Sequence, residues 1–271
     1  MYKSIILIIS SLIEKPLANA TLIQNRYEVL SHLGSGSYGH SYLVFDHQDN
    51  VKVVLKALRW HKRMTKKGRI GFYQEMAIMQ QLHYPSFPRF IGHGMYDKVP
   101  FFTMEYISGK TFEQLIFEEG RQFDELESFT LGYELVKIFS FLQQNNIVHR
   151  DIRIPNIMWD GDQIKVIDLG LAKKVAGGTI ENQKSIIHPR KQIDFKSDFY
   201  GLGHFLLFLL YSAYSPDVNE KEKSWEEELT LSYDAKSLIR KLLQIDPPYE
   251  TTQQLKCDFE KILKSYAITE G

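Results

Sequence analysis

Cysteine is almost absent from this 271-residue chain, where Cys257 stands alone. A single thiol excludes an intramolecular disulfide framework and a cysteine-rich zinc site, and it suits a reducing cytoplasm. An excess of either charge is absent too, because 33 basic and 33 acidic side chains cancel. No global field steers the molecule to nucleic acid or to an anionic membrane, so any anion binding has to be local. Low-complexity stretches and internal repeats are also missing. The hydrophobic and charged fractions, 44% and 24%, are those of an ordinary folded protein, and the length suits one large enzyme domain or two lobes.

The N-terminus, MYKSIILIISSLIEKPLANA, is the one segment that resembles a targeting signal. Its uncharged run, Ser4 to Ile13, is about half of what a spanning helix needs. Three readings remain open for residues 1–20. Ile5, Ile6, Ile9, Leu12 and Ile13 fall on one helical stripe ended by Pro16, which fits a helix docked on the protein or one that makes weak contact with a membrane surface through residues 1–13. Lys3 followed by the run and by Ala18-Asn19-Ala20 also matches the outline of a cleavable secretory signal.

From Tyr27 the pattern is that of strands. Tyr27–Leu33, Ser41–Phe45 and Val51–Leu58 are rich in β-branched and aromatic residues and predict an antiparallel meander. A helix is expected over Lys67–Leu82, then strands near Phe90–Met95 and Pro100–Tyr106. After Ser108-Gly109 helices dominate: Thr111–Glu118, Asp124–Gln144, Ser197–Tyr214, Asp234–Gln244 and Thr251–Ala267, with short strands around Ile147 and Ile164–Ile167. The expected architecture is α+β. An N-terminal apolar helix (1–20) precedes a small β-rich lobe with one main helix (21–107) and a larger, mainly helical lobe (108–271), the last two forming one catalytic domain.

Four short stretches carry chemistry. LGSGSYG places Gly34, Gly36 and Gly39 between two strands, where glycines let backbone amides approach phosphate oxygens. VVLKAL puts Lys56 inside an apolar strand, so its ammonium has to be paired; Glu75 on FYQEMAIMQQL is the natural partner. IVHRDIRIPNIMW holds a carboxylate, Asp151, and a carboxamide, Asn156, in an apolar frame. KVIDLGLAK offers Asp168 directly after a strand. Two carboxylates and a carboxamide are hard oxygen groups suited to magnesium and to a hydroxyl proton.

Taken in order and spacing, the glycine loop, Lys56, Glu75, His149-Arg150-Asp151 with Asn156, and Asp168-Leu169-Gly170 resemble the protein kinase family over residues 27–267, most closely the compact bacterial Ser/Thr kinases of eukaryotic type. The resemblance implies ATP and Mg2+, and transfer of the γ-phosphoryl group to Ser/Thr hydroxyls of a protein substrate, this chain included. By it Lys56 holds the nucleotide phosphates and is positioned by Glu75, Asp151 accepts the hydroxyl proton, and Asn156 and Asp168 hold magnesium. Arg153 occupies the basic position that favours Ser/Thr over tyrosine. Met104, Glu105 and Ile107 match the hinge beside adenine, Leu33 and Met158 close the base from above and below, and Asp198 braces the catalytic loop. Arg150 implies control by a phosphorylated segment, with Thr179 and Ser185 as candidates.

Several positions depart from the family pattern. Ser41, Val54 and Leu169 replace the usual valine, alanine and phenylalanine. Arg190 and Glu250 stand where the family has a glutamate and an arginine, which suggests the same brace with its charges exchanged. A small-molecule phosphotransferase and a catalytically weak pseudokinase remain as alternatives.

Overall fold

The computed structural model describes residues 15–36, 39–175, 189, 193–215 and 223–269. The three readings of the N-terminal run, the candidate phosphosites Thr179 and Ser185, and Arg190 therefore fall outside the described residues. The chain divides into two compact units. One holds residues up to Ser108 together with Ile167–Leu171; the other holds Gly109–Val166 and the chain from Ala172 onward. Assigning Ile167–Leu171 to the first unit departs from a simple split at residues 107 and 108.

The first unit is a six-stranded antiparallel sheet in the order β1-β2-β3-β4-β6-β5. Its strands are β1 (Leu22–Ile23), β2 (Tyr27–Ser35), β3 (Gly39–Asp46), β4 (Val51–Leu58), β5 (Phe90–Tyr96) and β6 (Val99–Glu105). β4 lies inside the sheet, paired with β3 on one side and β6 on the other. Val53, Val54, Leu55 and Lys56 are all buried, so the strand reads as a nearly continuous apolar run rather than an alternating one. Ile23, Tyr27, Val29, Tyr42, Val44, Val53, Leu55 and Phe101 form one core on this sheet. At the hairpin end, Arg26 donates to both carboxylate oxygens of Asp46, at 2.8 and 2.7 Å, and to Asp49 at 2.9 Å. Asp46 is fully buried, so the fork of the guanidinium takes the place of water around it.

Two helices belong to this unit, α1 (Trp60–Arg63) and α2 (Lys66–Gln81). Thr65 caps α2 by accepting from the Gly68 amide at 3.0 Å. Gly68, Gly71, Phe72, Glu75, Ile78 and Met79 form its buried stripe at helical spacing, which carries Glu75 inward with the apolar side chains.

The second unit is mainly helical: α3 (Phe112–Phe117), α4 (Glu125–Gln144), α5 (Lys196–Tyr211), α6 (Trp225–Glu228), α7 (Tyr233–Leu242) and α8 (Thr252–Thr269). α5 is its centre. Leu202, Phe205, Leu206 and Leu209 are fully buried, and α4 and α7 both pack on the helix, which explains why it is apolar on most sides. Three short strands, β7 (Lys110–Thr111), β9 (Ile157–Trp159) and β10 (Ile164–Val166), form a sheet in the order β10-β9-β7, and β8 (Ile147–Val148) pairs with β11 (Lys173–Lys174). The long elements match the expected ones within a few residues. The short ones, α1, α6, β1, β7, β9 and β11, were not expected, because two to four residues carry too little periodicity to register.

Of the charge-exchanged brace, only Glu250 lies among the described residues. Glu250 is 67% exposed at its side chain and holds Lys196 at 2.7 Å, so it makes a surface ion pair rather than a buried one. The Asp of Asp246-Pro247 is instead gripped by Arg240 from α7, at 2.8 and 2.9 Å.

These two kinds of ion pair predict costs of different size. Arg26→Ala leaves Asp46 as a buried charge and should lower the unfolding free energy by about 3 kcal/mol. Glu250→Ala should lower it by less than about 1 kcal/mol. Urea denaturation of the two variants beside the parent checks both values, and equal costs would contradict the assignment.

Candidate active site

In the first unit the site is built around one buried ammonium. Lys56, 2% exposed, donates to Glu75 Oε1 at 2.5 Å and to Asp168 Oδ1 at 2.8 Å. Each partner arrives on a different element: Lys56 on β4, Glu75 on the inward stripe of α2, and Asp168 on the segment that returns to this unit after β10. Burial by itself would pull the ammonium down in pKa, but the attraction of Glu75 and Asp168 outweighs it and holds Lys56 above its usual value. Burial and the second carboxylate push Glu75 up from the usual carboxylate range, against the pull of Lys56. One cation between two carboxylates raises the proton affinity of the whole cluster, so Lys56 stays charged.

Asp168 has a positive φ of 61°, and its Oδ1 also accepts from the Gly170 amide at 3.1 Å, a local bond that steadies this uncommon backbone shape. Its Oδ2 faces the glycine hairpin: a Cβ built on Gly36 would lie 3.5 Å from that oxygen. Gly39 has a more stringent reason to be glycine. A Cβ there would sit 2.9 Å from Lys56 Cγ and 2.8 Å from the Ala57 carbonyl oxygen, so only a bare Cα lets β3 lie against the lysine stem. Gly34, with φ of 150°, also adopts a backbone conformation that side chains disfavour.

The hinge residues close the sheet edge. Met104 is buried opposite Val54 on β4, and Ile107 is buried beyond the end of β6. The Glu105 amide donates to the Arg89 carbonyl at 2.9 Å. Leu33 is half-exposed on β2.

In the second unit, Asp151 lies in the loop after β8. Asn156, at the end of a 3-10 turn over Ile154–Asn156, donates through Nδ2 to both the backbone carbonyl and the Oδ2 of Asp151, each at 2.9 Å. That orientation turns the Asn156 Oδ1 away from Asp151. Arg153 Nε sits 2.8 Å from Asp151 Oδ1. Met158 is half-buried on β9.

The loop is fixed from below by Asp198. Its carboxylate, buried in the first turn of α5, accepts from the His149 amide at 2.8 Å and the Arg150 amide at 2.6 Å. Clamping two successive amides holds Arg150 in a left-handed conformation, φ 67°, and points the chain toward Asp151. Gly201, one turn along α5, lets the loop lie directly on the helix, since a Cβ there would meet the Ile152 Cβ at 2.7 Å and its carbonyl oxygen at 2.9 Å. The packing roles of Gly39 and Gly201 were missed from sequence. A glycine inside the helical pattern SDFYGLG was the available signal.

The protein kinase domain profile matches residues 27–259. The chain belongs to the protein kinase family. This kinase is 35% identical over 254 residues to the probable serine/threonine-protein kinase YbdM of Bacillus subtilis, covering 94% of the chain and 96% of that relative. It is 26% identical both to the probable serine/threonine-protein kinase CPE1738 of Clostridium perfringens and to the serine/threonine-protein kinase PrkC of Bacillus subtilis. Both alignments cover 92% of the chain but only 40% and 42% of those longer proteins.

Two predictions follow the geometry of the second unit. Burial pushes Asp198 up to about 7, against the two amides, which favour the carboxylate. A raised folded-state pKa contributes stability that is complete below the ordinary carboxylate range and is lost as pH rises through about 7. The stability advantage of the parent over Asp198→Asn should therefore shrink between about pH 4 and pH 7, measured as the gap in urea midpoints; a gap that widens would show the carboxylate to be ionised throughout. Gly201→Ala should displace Ile152 and with it Asp151, lowering kcat by about 10²-fold for a misplacement near 1 Å. Steady-state kinetics with unchanged kcat would overturn that reading.

Proposed function

We infer that this chain is an ATP-dependent protein kinase that transfers the γ-phosphoryl group to Ser and Thr hydroxyls of proteins. The observation that carries the reading is the paired state of Lys56. An ammonium held by Glu75 and Asp168 at 2.5 and 2.8 Å is the assembled form of the lysine-glutamate pair on which phosphate positioning depends.

Each residue's proposed role follows from its surroundings. Lys56 draws on the phosphates of ATP, and the amides around Gly34, Gly36 and Gly39 lie against them. Asp151 takes the proton of the attacking hydroxyl, and Asn156 fixes the rotamer of that carboxylate through its two 2.9 Å contacts. Arg153, already 2.8 Å from Asp151, supplies positive charge for the transferred group. Met104, the carbonyl of Glu105, Ile107, Leu33 and Met158 are the proposed adenine contacts.

The oxygen set fits magnesium. Among the described residues no three acidic, histidine or cysteine side chains cluster as a metal site. That is what a nucleotide-borne Mg2+ requires, because one or two protein oxygens suffice when phosphates and waters complete the shell. Asp168 Oδ2 and Asn156 Oδ1 are the proposed ligands. When bound, the ion neutralises charge on the β- and γ-phosphates.

No helix among the described residues is long and apolar enough to cross a membrane. Together with the lone cysteine, this supports a cytoplasmic location. The balanced charge supports protein rather than nucleic acid as the partner.

Incubation with γ-labelled ATP and magnesium tests the reading. Label should appear on the chain itself or on a generic protein substrate, as phosphoserine and phosphothreonine. It should fall by about 10²-fold or more in Asp168→Asn and Lys56→Met. Absence of label from parent and variants alike, with ATP binding intact, would overturn it.

A further inference from the structure

A second cavity lies within the first unit, away from the Lys56 cluster. It measures about 320 Å³ and opens on the sheet face where Ile23, Leu55, Ala57 and Phe101 form an apolar floor. Trp60 and Arg63 of α1 line it on one side, and Lys15 and Leu17 on another. Leu55 and Ala57 flank Lys56 on β4. Side chains alternate along a strand, so this cavity lies directly behind the strand that presents the lysine.

We propose that the cavity receives the apolar side chains of residues 5–13 of this same chain. Three observations converge on that occupant. The first described residue, Lys15, already lines the cavity, and Ile13 is two residues before it, within about 7 Å along the chain. Ile9 lies only about 9 Å from Lys15 if the stretch is helical. The reach of the segment therefore matches the location of the cavity.

The second observation is continuity. Leu17 packs against the sheet core, and its amide donates to the Tyr42 hydroxyl at 3.2 Å. β1 then adds Ile23 to the same core and pairs with β2. The chain is thus already attached to this face at two successive points, directly after the run Ser4–Ile13 in sequence.

Complementarity is the third. Ile5, Ile6, Ile9, Leu12 and Ile13 share one helical stripe, an apolar surface that matches an apolar floor. Glu14 is the sole acidic side chain among the first twenty residues, and the cavity wall carries Arg63 and Lys15. The run itself is preceded by a single cation, Lys3, whereas attachment to an anionic bilayer draws on a cluster of them. Filling the cavity would back β4 with apolar packing opposite Lys56 and make the segment a part of the first unit.

The full-length chain with p-benzoylphenylalanine in place of Ile9 tests this directly. On irradiation, cross-links should form within one chain, at a yield independent of dilution, and map to peptides containing Trp60 or Val99–Phe101. Cross-links elsewhere in the chain, between chains, or into added vesicles of anionic phospholipid with none at the cavity would overturn the proposal. So would a mature chain whose mass begins after Ala20. As a second readout, Ile9→Asp should lower the thermal midpoint by a few degrees, and an unchanged midpoint would count as refutation. Neither measurement involves phosphate transfer, so this proposal and the kinase reading fail independently.

Discussion

The first unit is organised around the need to keep one ammonium away from water. An isolated buried cation is prohibitively unfavourable, so every element near Lys56 has to contribute something to its neutralisation. α2 must turn Glu75 inward, which its buried stripe does because Phe72, Ile78 and Met79 share the same side of the helix. β3 must approach without a side chain, which Gly39 permits. The segment Ile167–Leu171 must return to the unit to bring Asp168. If any one of these fails, the fold is left with an uncompensated charge, so the geometry of the cluster and the stability of the unit are linked.

The second unit solves the mirror-image problem. Its buried carboxyl group is Asp198, and its compensation comes chiefly from two backbone amides, with Arg150 adding attraction. The difference matters for what each buried charge can do. Lys56 ties together two carboxylates carried on different elements, whereas Asp198 is turned to the loop that it holds in shape. In both cases preorganised groups replace solvent before any substrate arrives, which is the condition for electrostatic stabilisation without reorganisation. A largely apolar α5 is required by the same logic, because a polar or mobile helix would not keep Asp198 at one position beneath the loop.

Much of this was legible in the sequence, for identifiable reasons. β4 could be read because an apolar strand with a single lysine admits few interpretations, and Asp151, Asn156 and Asp168 because hard oxygen groups within apolar frames require an explanation. Long helices showed through their period. Contacts that depend on the absence of a side chain did not, since the sequence marks Gly39 and Gly201 as glycines without saying which atoms approach them. Burial is a further limit. Sequence carries no information on it, and Glu250, read as one end of a brace, is exposed and pairs with Lys196, while Arg190, the other end, lies outside the described residues. Arg26 and Asp46 form a bidentate pair whose carboxylate is fully buried and whose guanidinium is partly exposed, and no pattern in the sequence marks that burial.

The backbone passes from one unit to the other three times, after Ser108, after Val166 and after Leu171. The second counter-charge of Lys56 is therefore encoded 112 residues downstream of the lysine, beyond most of the first unit and a long stretch of the second. On a ribosome adding about 5 to 20 residues per second, the stretch from Glu75 to Asp168 is a wait of roughly 5 to 19 s during which the nascent first unit has Glu75 but not Asp168. The first unit cannot complete itself while it is being made, nor can it be shuffled between genes as a cassette ending at Ser108. Its last structural residue is supplied by the stretch of gene that also encodes its neighbour, which obliges the two units to be translated and inherited together.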